Sequence, residues 1–215
     1  MRLRKKPWIK EAIKEYEDVL AANPQGGKWN DVFGRVAPLY VELGTGKGRF
    51  ITALAARHPE INFVGIEAQL DVLYYAAQKA HEQRLSNVRL LHFDVNNILE
   101  IFSPGEVDRV FINFCDPWPK KRHAKRRLTN RWFLDKYRVI LAEGGELYFK
   151  TDNERLFEAS LNEFADTGLG LRNISFDLHN SGYQDNIMTE YEAKFSALGM
   201  KIYRTEVIFA KSAEQ

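Results

Sequence analysis

The run VDRVFINFCD (107–116) is apolar until its last residues, ends in Asp116, and is followed at once by Pro117-Trp118-Pro119. Six of the next eight residues, 120–127, are Lys or Arg. One carboxylate at the mouth of a basic loop has chemical content. The cations attract a polyanion and fix its register, while the carboxylate accepts hydrogen bonds from one chosen group of that ligand. The two prolines and Trp118 make a stiff aromatic turn. Such a turn can wall a flat base, or it can be an ordinary turn with Trp118 as a core lid.

A second chemical motif is ELGTGKG (42–48). Gly44, Gly46 and Gly48 allow a tight turn and close approach of a ligand to the backbone. The G-x-G-x-G spacing is not the dinucleotide G-x-G-x-x-G, whose last position holds Arg49, and no G-K-[ST] follows. Glu42, two residues before the first glycine, repels a pyrophosphate and attracts a cation. S-adenosylmethionine carries two cationic groups, a sulfonium and an α-ammonium. Glu67 ends the next apolar run, where an acid can accept both ribose hydroxyls of a nucleoside. Asp94 ends the third run and can receive an adenine amino group, and Asp116 ends the fourth. Acids at the ends of successive strands converge on one crevice when those strands are parallel.

The remaining pattern supplies such strands. Apolar runs at 39–43, 61–67, 88–94, 107–116 and 146–152 alternate with helical periodicity at 49–57, 69–84, 129–141 and 153–165, with Thr129 a candidate N-cap. This predicts an α/β fold with a doubly wound, mostly parallel sheet. Strand-like stretches at 171–179 and 201–211 have little helix between them and predict an antiparallel pair at the sheet edge. Residues 8–20 have amphipathic helical spacing, so 1–30 reads as a basic arm and helix on a single 1–215 domain.

Composition narrows the class. The chain has 215 residues, 45% of them apolar, and a net charge of +2. Seven cations and no anion lie between Asp116 and Asp135, and the rest holds 24 basic against 29 acidic residues, a net of −5. The positive charge is therefore local. A second cluster, Arg2, Arg4, Lys5 and Lys6, opens the chain. No apolar run reaches the ~20 residues of a membrane span. The basic start lacks the apolar segment of a signal peptide. Cys115 is the single cysteine, and burial at a strand end suits it better than nucleophilic chemistry. The histidines show no metal-ligand spacing, so no metal is expected. A reducing cytoplasm is the expected compartment.

ELGTGKG, GIE (65–67), DPWPKKRHAKRR (116–127), KTD (150–152), TEYE (189–192) and the start MRLRKKPW together resemble the bacterial tRNA (guanine-N7-)-methyltransferases, across essentially the whole chain. The resemblance implies a seven-stranded Rossmann-like methyltransferase fold with an antiparallel last strand. It implies methyl transfer from S-adenosylmethionine to N7 of a guanine in the tRNA variable loop. On that resemblance Glu42, Gly44, Gly46, Gly48, Glu67, Asp94 and Asp116 line the donor site, with Asp116 the catalytic acid residue. Lys120 and Asp152 contact substrate, Thr189 and Glu192 hold the guanine, and Arg122, His123, Lys125, Arg126 and Arg127 touch RNA. Local readings stand beside these: Thr189-x-x-Glu192 is also a capping box, and Asp152-Asn153 also suits a helix cap. A monomer and a homodimer are both compatible with the sequence. The Asp-Pro-Trp turn is also similar to the turn of amino-methylating enzymes. A non-catalytic RNA-binding protein fits the same basic loop. A dehydrogenase is disfavoured by the glycine spacing.

Overall fold

The computed structural model describes residues 6–22 and 24–209. In chain order the elements are α1 (Ile9–Ala12), α2 (Trp29–Phe33), β1 (Leu39–Leu43), α3 (Arg49–Arg57), β2 (Asn62–Glu67), α4 (Leu70–Glu82) and β3 (Val88–His92). There follow β4 (Val107–Asn113), α5 (Arg131–Ile140), β5 (Leu141–Thr151), α6 (Glu154–Asp166), β6 (Gly170–Ser175), α7 (Glu190–Ser196) and β7 (Tyr203–Ile208). The seven strands form one sheet in the order β3-β2-β1-β4-β5-β7-β6. The first five are parallel, and β7 runs antiparallel to both β5 and β6. The strand order reverses between β1 and β4, which opens a crevice beyond their carboxyl ends.

The crossover strands are apolar because both of their faces are covered. All six residues of β2 are buried, as a central parallel strand requires. One face of the sheet carries Val41, Leu43, Val110, Ile112, Leu147 and Phe149 into a core with Phe133, Leu134 and Tyr137 of α5 and Leu156, Phe157 and Phe164 of α6. On the other face Ile51 and Ala55 of α3 pack with Leu73, Ala76, Ala77 and Ala80 of α4. Gly65 lets α3 and the glycine turn approach the sheet: a Cβ there would lie 2.5 Å from Thr45 Cγ2 and 2.9 Å from Ile51 Cδ1.

Several local expectations change. The 8–20 segment is one short α turn followed by a 3₁₀ helix over Ile13–Val19, interrupted at Tyr16. Ile13, Tyr16 and Val19 are the buried residues of that 3₁₀ helix, and a strict spacing of three aligns side chains on one face of a three-residue turn. Helix α5 is capped by Asn130, whose side chain accepts from Trp132 N at 3.3 Å. Thr129 is instead buried, 2.7 Å from Ser160 Oγ. Strand β5 starts at Leu141, earlier than the glycine pair suggests. Strands β3 and β4 stop at His92 and Asn113, so Asp94 and Asp116 stand in the loops just beyond the sheet. Arg2, Arg4 and Lys5, with the 210–211 end of the last strand-like stretch, lie outside the described residues. Among the described residues no helix is long and apolar enough to cross a membrane.

Candidate active site

A cleft of about 1180 Å³ lies at the strand-order reversal. Its walls include the β1–α3 turn, the end of β2, Asp94, the 113–118 segment, Lys125, Arg126 and residues 189–191 and 194.

Glu42, at the end of β1, is buried at the bottom. Asn113 Nδ2 donates to its Oε1 at 2.9 Å, whereas Oε2 has no partner among the described residues. Burial pushes this carboxyl up to about 8, against the opposing effects of the Asn113 hydrogen bond and the Lys150 charge. Thr45 Oγ1, in the same wall, is also buried without a partner among those residues. Unsatisfied buried acceptors are costly and mark a place where a donor belongs. A ligand ammonium would satisfy them, and it would favour the ionised carboxylate. The glycines divide in function. A Cβ at Gly44 or Gly46 would meet nothing within 4 Å, so both present open backbone to the cleft. A Cβ at Gly48 would lie 2.8 Å from that of Ala76, so Gly48 serves the packing of α3 on α4 and does not line the cleft. Both glycines facing the cleft have positive φ, 80° and 56°, a backbone only glycine adopts readily.

Glu67 stitches the turn to β2. Its Oε2 accepts from Gly46 N and its Oε1 from Gln69 N, both at 3.0 Å. Each oxygen retains a lone pair for a ribose hydroxyl. Burial raises this carboxyl, opposed by those backbone hydrogen bonds. Asp94 Oδ1 accepts from the backbone and side chain of Asn96 at 2.9 and 2.7 Å, and so caps the following 3₁₀ helix (Val95–Glu100).

Asp116 is exposed and makes no hydrogen bond or ion pair with another described residue. It sits between two non-glycine residues of positive φ, Phe114 at 56° and Trp118 at 40°. Such conformations cost on the order of 1–3 kcal/mol each and persist only where the surroundings impose them. Both residues, with Tyr191, line the cleft. Tyr191 is ringed by Phe114 and Phe195, at centroid distances of 5.1 and 4.2 Å, and its hydroxyl donates to Asp152 Oδ2 at 3.1 Å. An accessible carboxylate flanked by aromatic rings suits a planar base with donor groups on its edge.

Residues Lys121–Arg126 form a 3₁₀ helix over this turn. Arg126 lies 4.8 Å above the Trp118 ring, and His123 meets that ring edge-on at 5.7 Å. Lys120, Lys121 and Lys125 are exposed.

A family model described as "Putative methyltransferase" matches residues 36–205. A tRNA (guanine-N(7)-)-methyltransferase of Halalkalibacterium halodurans is 53% identical, over 100% of this chain and 98% of its own length. The chain belongs to the tRNA (guanine-N(7)-)-methyltransferase family. The enzyme of that name from Bacillus subtilis is 52% identical over 96% of this chain and 98% of its own. Solved methyltransferases share the fold at low identity. An antibiotic-related methyltransferase superposes with a TM-score of 0.65 at 14% identity, covering 89% of this chain and 96% of its own. The 16S rRNA methyltransferase KamB does so with 0.66 at 11%, covering 88% and 96%.

The residues that this family resemblance singles out separate into groups. Glu42, Gly44, Gly46, Glu67, Asp94, Asp116, Thr189, Lys125 and Arg126 all border the methyltransferase cleft. Gly48, Lys120, Asp152, Glu192, Arg122, His123 and Arg127 do not. For Glu192 the reason is burial in an ion pair. Its Oε2 accepts from Lys150 Nζ at 2.8 Å, and its Oε1 accepts from Asn186 Nδ2 at 2.6 Å and lies 3.2 Å from His179 Nε2. Lys150 also donates to Ile187 O at 2.9 Å. Burial pulls the Lys150 ammonium down, and the Glu192 charge opposes this. Thr189 forms the capping bond: its Oγ1 accepts from Glu192 N at 2.9 Å. Asn153, not Asp152, caps α6, accepting from Leu156 N at 2.9 Å. Sequence reasoning misses Asn113, Lys150 and Tyr191. Lys150 and Tyr191 stand inside quoted motifs, but what they bond to is a tertiary matter. Among the described residues no group of three or more His, Cys, Asp or Glu is placed to hold a metal ion.

Proposed function

We propose that this protein methylates N7 of a guanine in the tRNA variable loop, with S-adenosylmethionine as donor. The full-length likeness to tRNA (guanine-N(7)-)-methyltransferases, at 53% identity, carries the reading. The cleft supports it with a buried, unpartnered Oε2 on Glu42 and an accessible Asp116 between aromatic walls.

When bound, the donor supplies a sulfonium methyl, which the N7 lone pair takes as the carbon–sulfur bond breaks with its electron pair going to sulfur. N7 carries no proton, so no residue has to act as general base. Glu42, with Thr45, holds the ammonium, and Glu67 receives the ribose hydroxyls on the lone pairs its backbone partners leave free. Asp94 uses its remaining capacity for the adenine amino group. Asp116 accepts from the N1–H and amino group of the guanine. That contact aligns N7 and stabilises the positive charge appearing on the purine. Thr189 borders the base, whereas Glu192 acts from behind the wall by fixing the 186–192 segment through Lys150. Asp152 acts through the Tyr191 hydroxyl. Lys120, Lys121, Arg122 and Lys125 bind tRNA phosphates. We read the N-terminal helices as part of the same domain as the sheet, since Ile13, Tyr16 and Val19 pack with Leu73 and Ala77 of α4; the reaction takes place in the cytoplasm, where tRNA resides.

The test is transfer of labelled methyl from S-adenosylmethionine to unmodified tRNA, followed by nucleoside analysis. The label is expected in 7-methylguanosine; label in any other nucleoside overturns the proposal.

A further inference from the structure

Arg127 differs from the other cations of the basic run. Its guanidinium turns back onto the turn that carries Asp116. Nε lies 3.1 Å from Pro117 O and 3.3 Å from Trp118 O, and Nη2 lies 3.0 Å from Trp118 O. Arg127 is half-buried, while Lys120, Lys121, Arg122 and Lys125 are exposed. The two carbonyls directly follow Asp116, and Trp118 holds its left-handed φ of 40°. Asp116 itself bonds to no other described residue, so the direction of its carboxylate depends on the backbone of this turn. A planar fork that donates to two successive carbonyls keeps both peptide groups facing one side, which a point-charge ammonium does not reproduce.

We propose that Arg127 is a positioning residue for Asp116: it clamps the Pro117 and Trp118 carbonyls, and RNA phosphates are left to its exposed neighbours. The basic run thus has two parts. Arg126, over the Trp118 ring, and Arg127, on the carbonyls behind it, build the turn. The rest supplies the polyanion surface. This inference rests on the methyl transfer proposed above.

The test compares Arg127→Lys, Arg127→Gln and Arg122→Gln with the wild-type protein. Three quantities are measured: the single-turnover methyl-transfer rate at saturating tRNA, the donor dissociation constant, and the salt dependence of tRNA binding. Removing one phosphate-binding cation changes the slope of log affinity against log salt by about 0.7–0.9. Both Arg127 variants are expected to lose roughly tenfold or more in rate, a loss typical of a misplaced catalytic group. Their salt slope is expected to be unchanged, with donor affinity and melting temperature near wild type. Arg122→Gln is expected to lower the slope. The proposal is overturned if Arg127→Lys keeps the wild-type rate while Arg127→Gln weakens tRNA binding and lowers the slope. Loss of cooperative melting in both Arg127 variants also overturns it, because the clamp would then support the fold at large. A wild-type protein that makes no 7-methylguanosine defeats the proposed activity instead, so the two failures are distinct.

Discussion

Asn113 Nδ2 donates to Oε1 of Glu42 at 2.9 Å and leaves Oε2 of the same carboxyl buried without a partner among the described residues. Adjacent parallel strands bring the two together, and they form an acceptor with one half fixed and the other half open to the cleft. The consequence is a carboxyl that stays protonated up to about pH 8 until a cation arrives.

Ligand-free stability should therefore fall with rising pH across a defined window. The Glu42 carboxyl ionises near 4.5 in an ordinary setting and near 8 here. Below 4.5 both folded and unfolded states hold the proton. Between 4.5 and 8 only the folded state does, so the unfolded state binds fewer protons and stability drops, levelling off above about 8. The window is worth on the order of a few kcal/mol. Glu42→Gln has no proton to lose. Its melting temperature should exceed that of the wild type by a margin that grows as pH rises through this window, and saturating S-adenosylmethionine should erase the margin. A margin independent of pH would refute the assignment.

The same Glu42→Gln substitution should weaken donor binding by roughly a hundredfold, because a charge-assisted hydrogen bond becomes a neutral one. Calorimetry near neutral pH in two buffers of different ionisation enthalpy should show proton release by the wild type and less by the variant. Equal release by both proteins would place the titrating group elsewhere.

Asp116→Asn should leave the fold intact, since Asp116 bonds to no other described residue. Its methyl-transfer rate should fall by about 10²–10³, the usual loss when one preorganised electrostatic group is removed. Rate and thermal melt on the same preparation test this, and near-normal turnover would take Asp116 out of the chemistry.

Lys150→Met should be strongly destabilising. It strands the fully buried Glu192 carboxylate, and breaking one side of a buried pair costs about 3–5 kcal/mol. The double variant Lys150→Met with Glu192→Leu should recover much of that stability yet remain poorly active, because the 186–192 segment loses its anchor. Urea titration and turnover separate the two effects. A double variant with full activity would show that the pair does not position the acceptor wall.

Transfer RNA in which 7-deazaguanine replaces guanine should accept no methyl group, since the lone pair at that position is absent. Methylation of that RNA would point to an exocyclic amino group as acceptor.

Much of this protein is legible in one dimension. Strands β1, β2 and β4 are near-continuous apolar runs because both of their faces are buried, and a run of that kind needs no knowledge of its neighbours. The acids Glu42, Glu67, Asp94 and Asp116 follow or end such runs, so their convergence follows from parallel pairing alone. The basic loop and the glycine turn are contiguous in sequence, and so are their bulk properties, positive charge and open backbone. Side-chain partnership is not legible there, because it joins residues far apart in the chain. Glu42 meets Asn113 across 71 positions, and Lys150 meets Glu192 across 42. Only the folded sheet makes Glu192 a buried anchor, Gly48 a packing residue against Ala76, and Arg127 a clamp on two carbonyls. Residue type and periodicity determine which groups gather at the crevice. Tertiary packing decides which of them keep a free lone pair or donor for a ligand, because every partner found inside the protein removes one that a substrate would use.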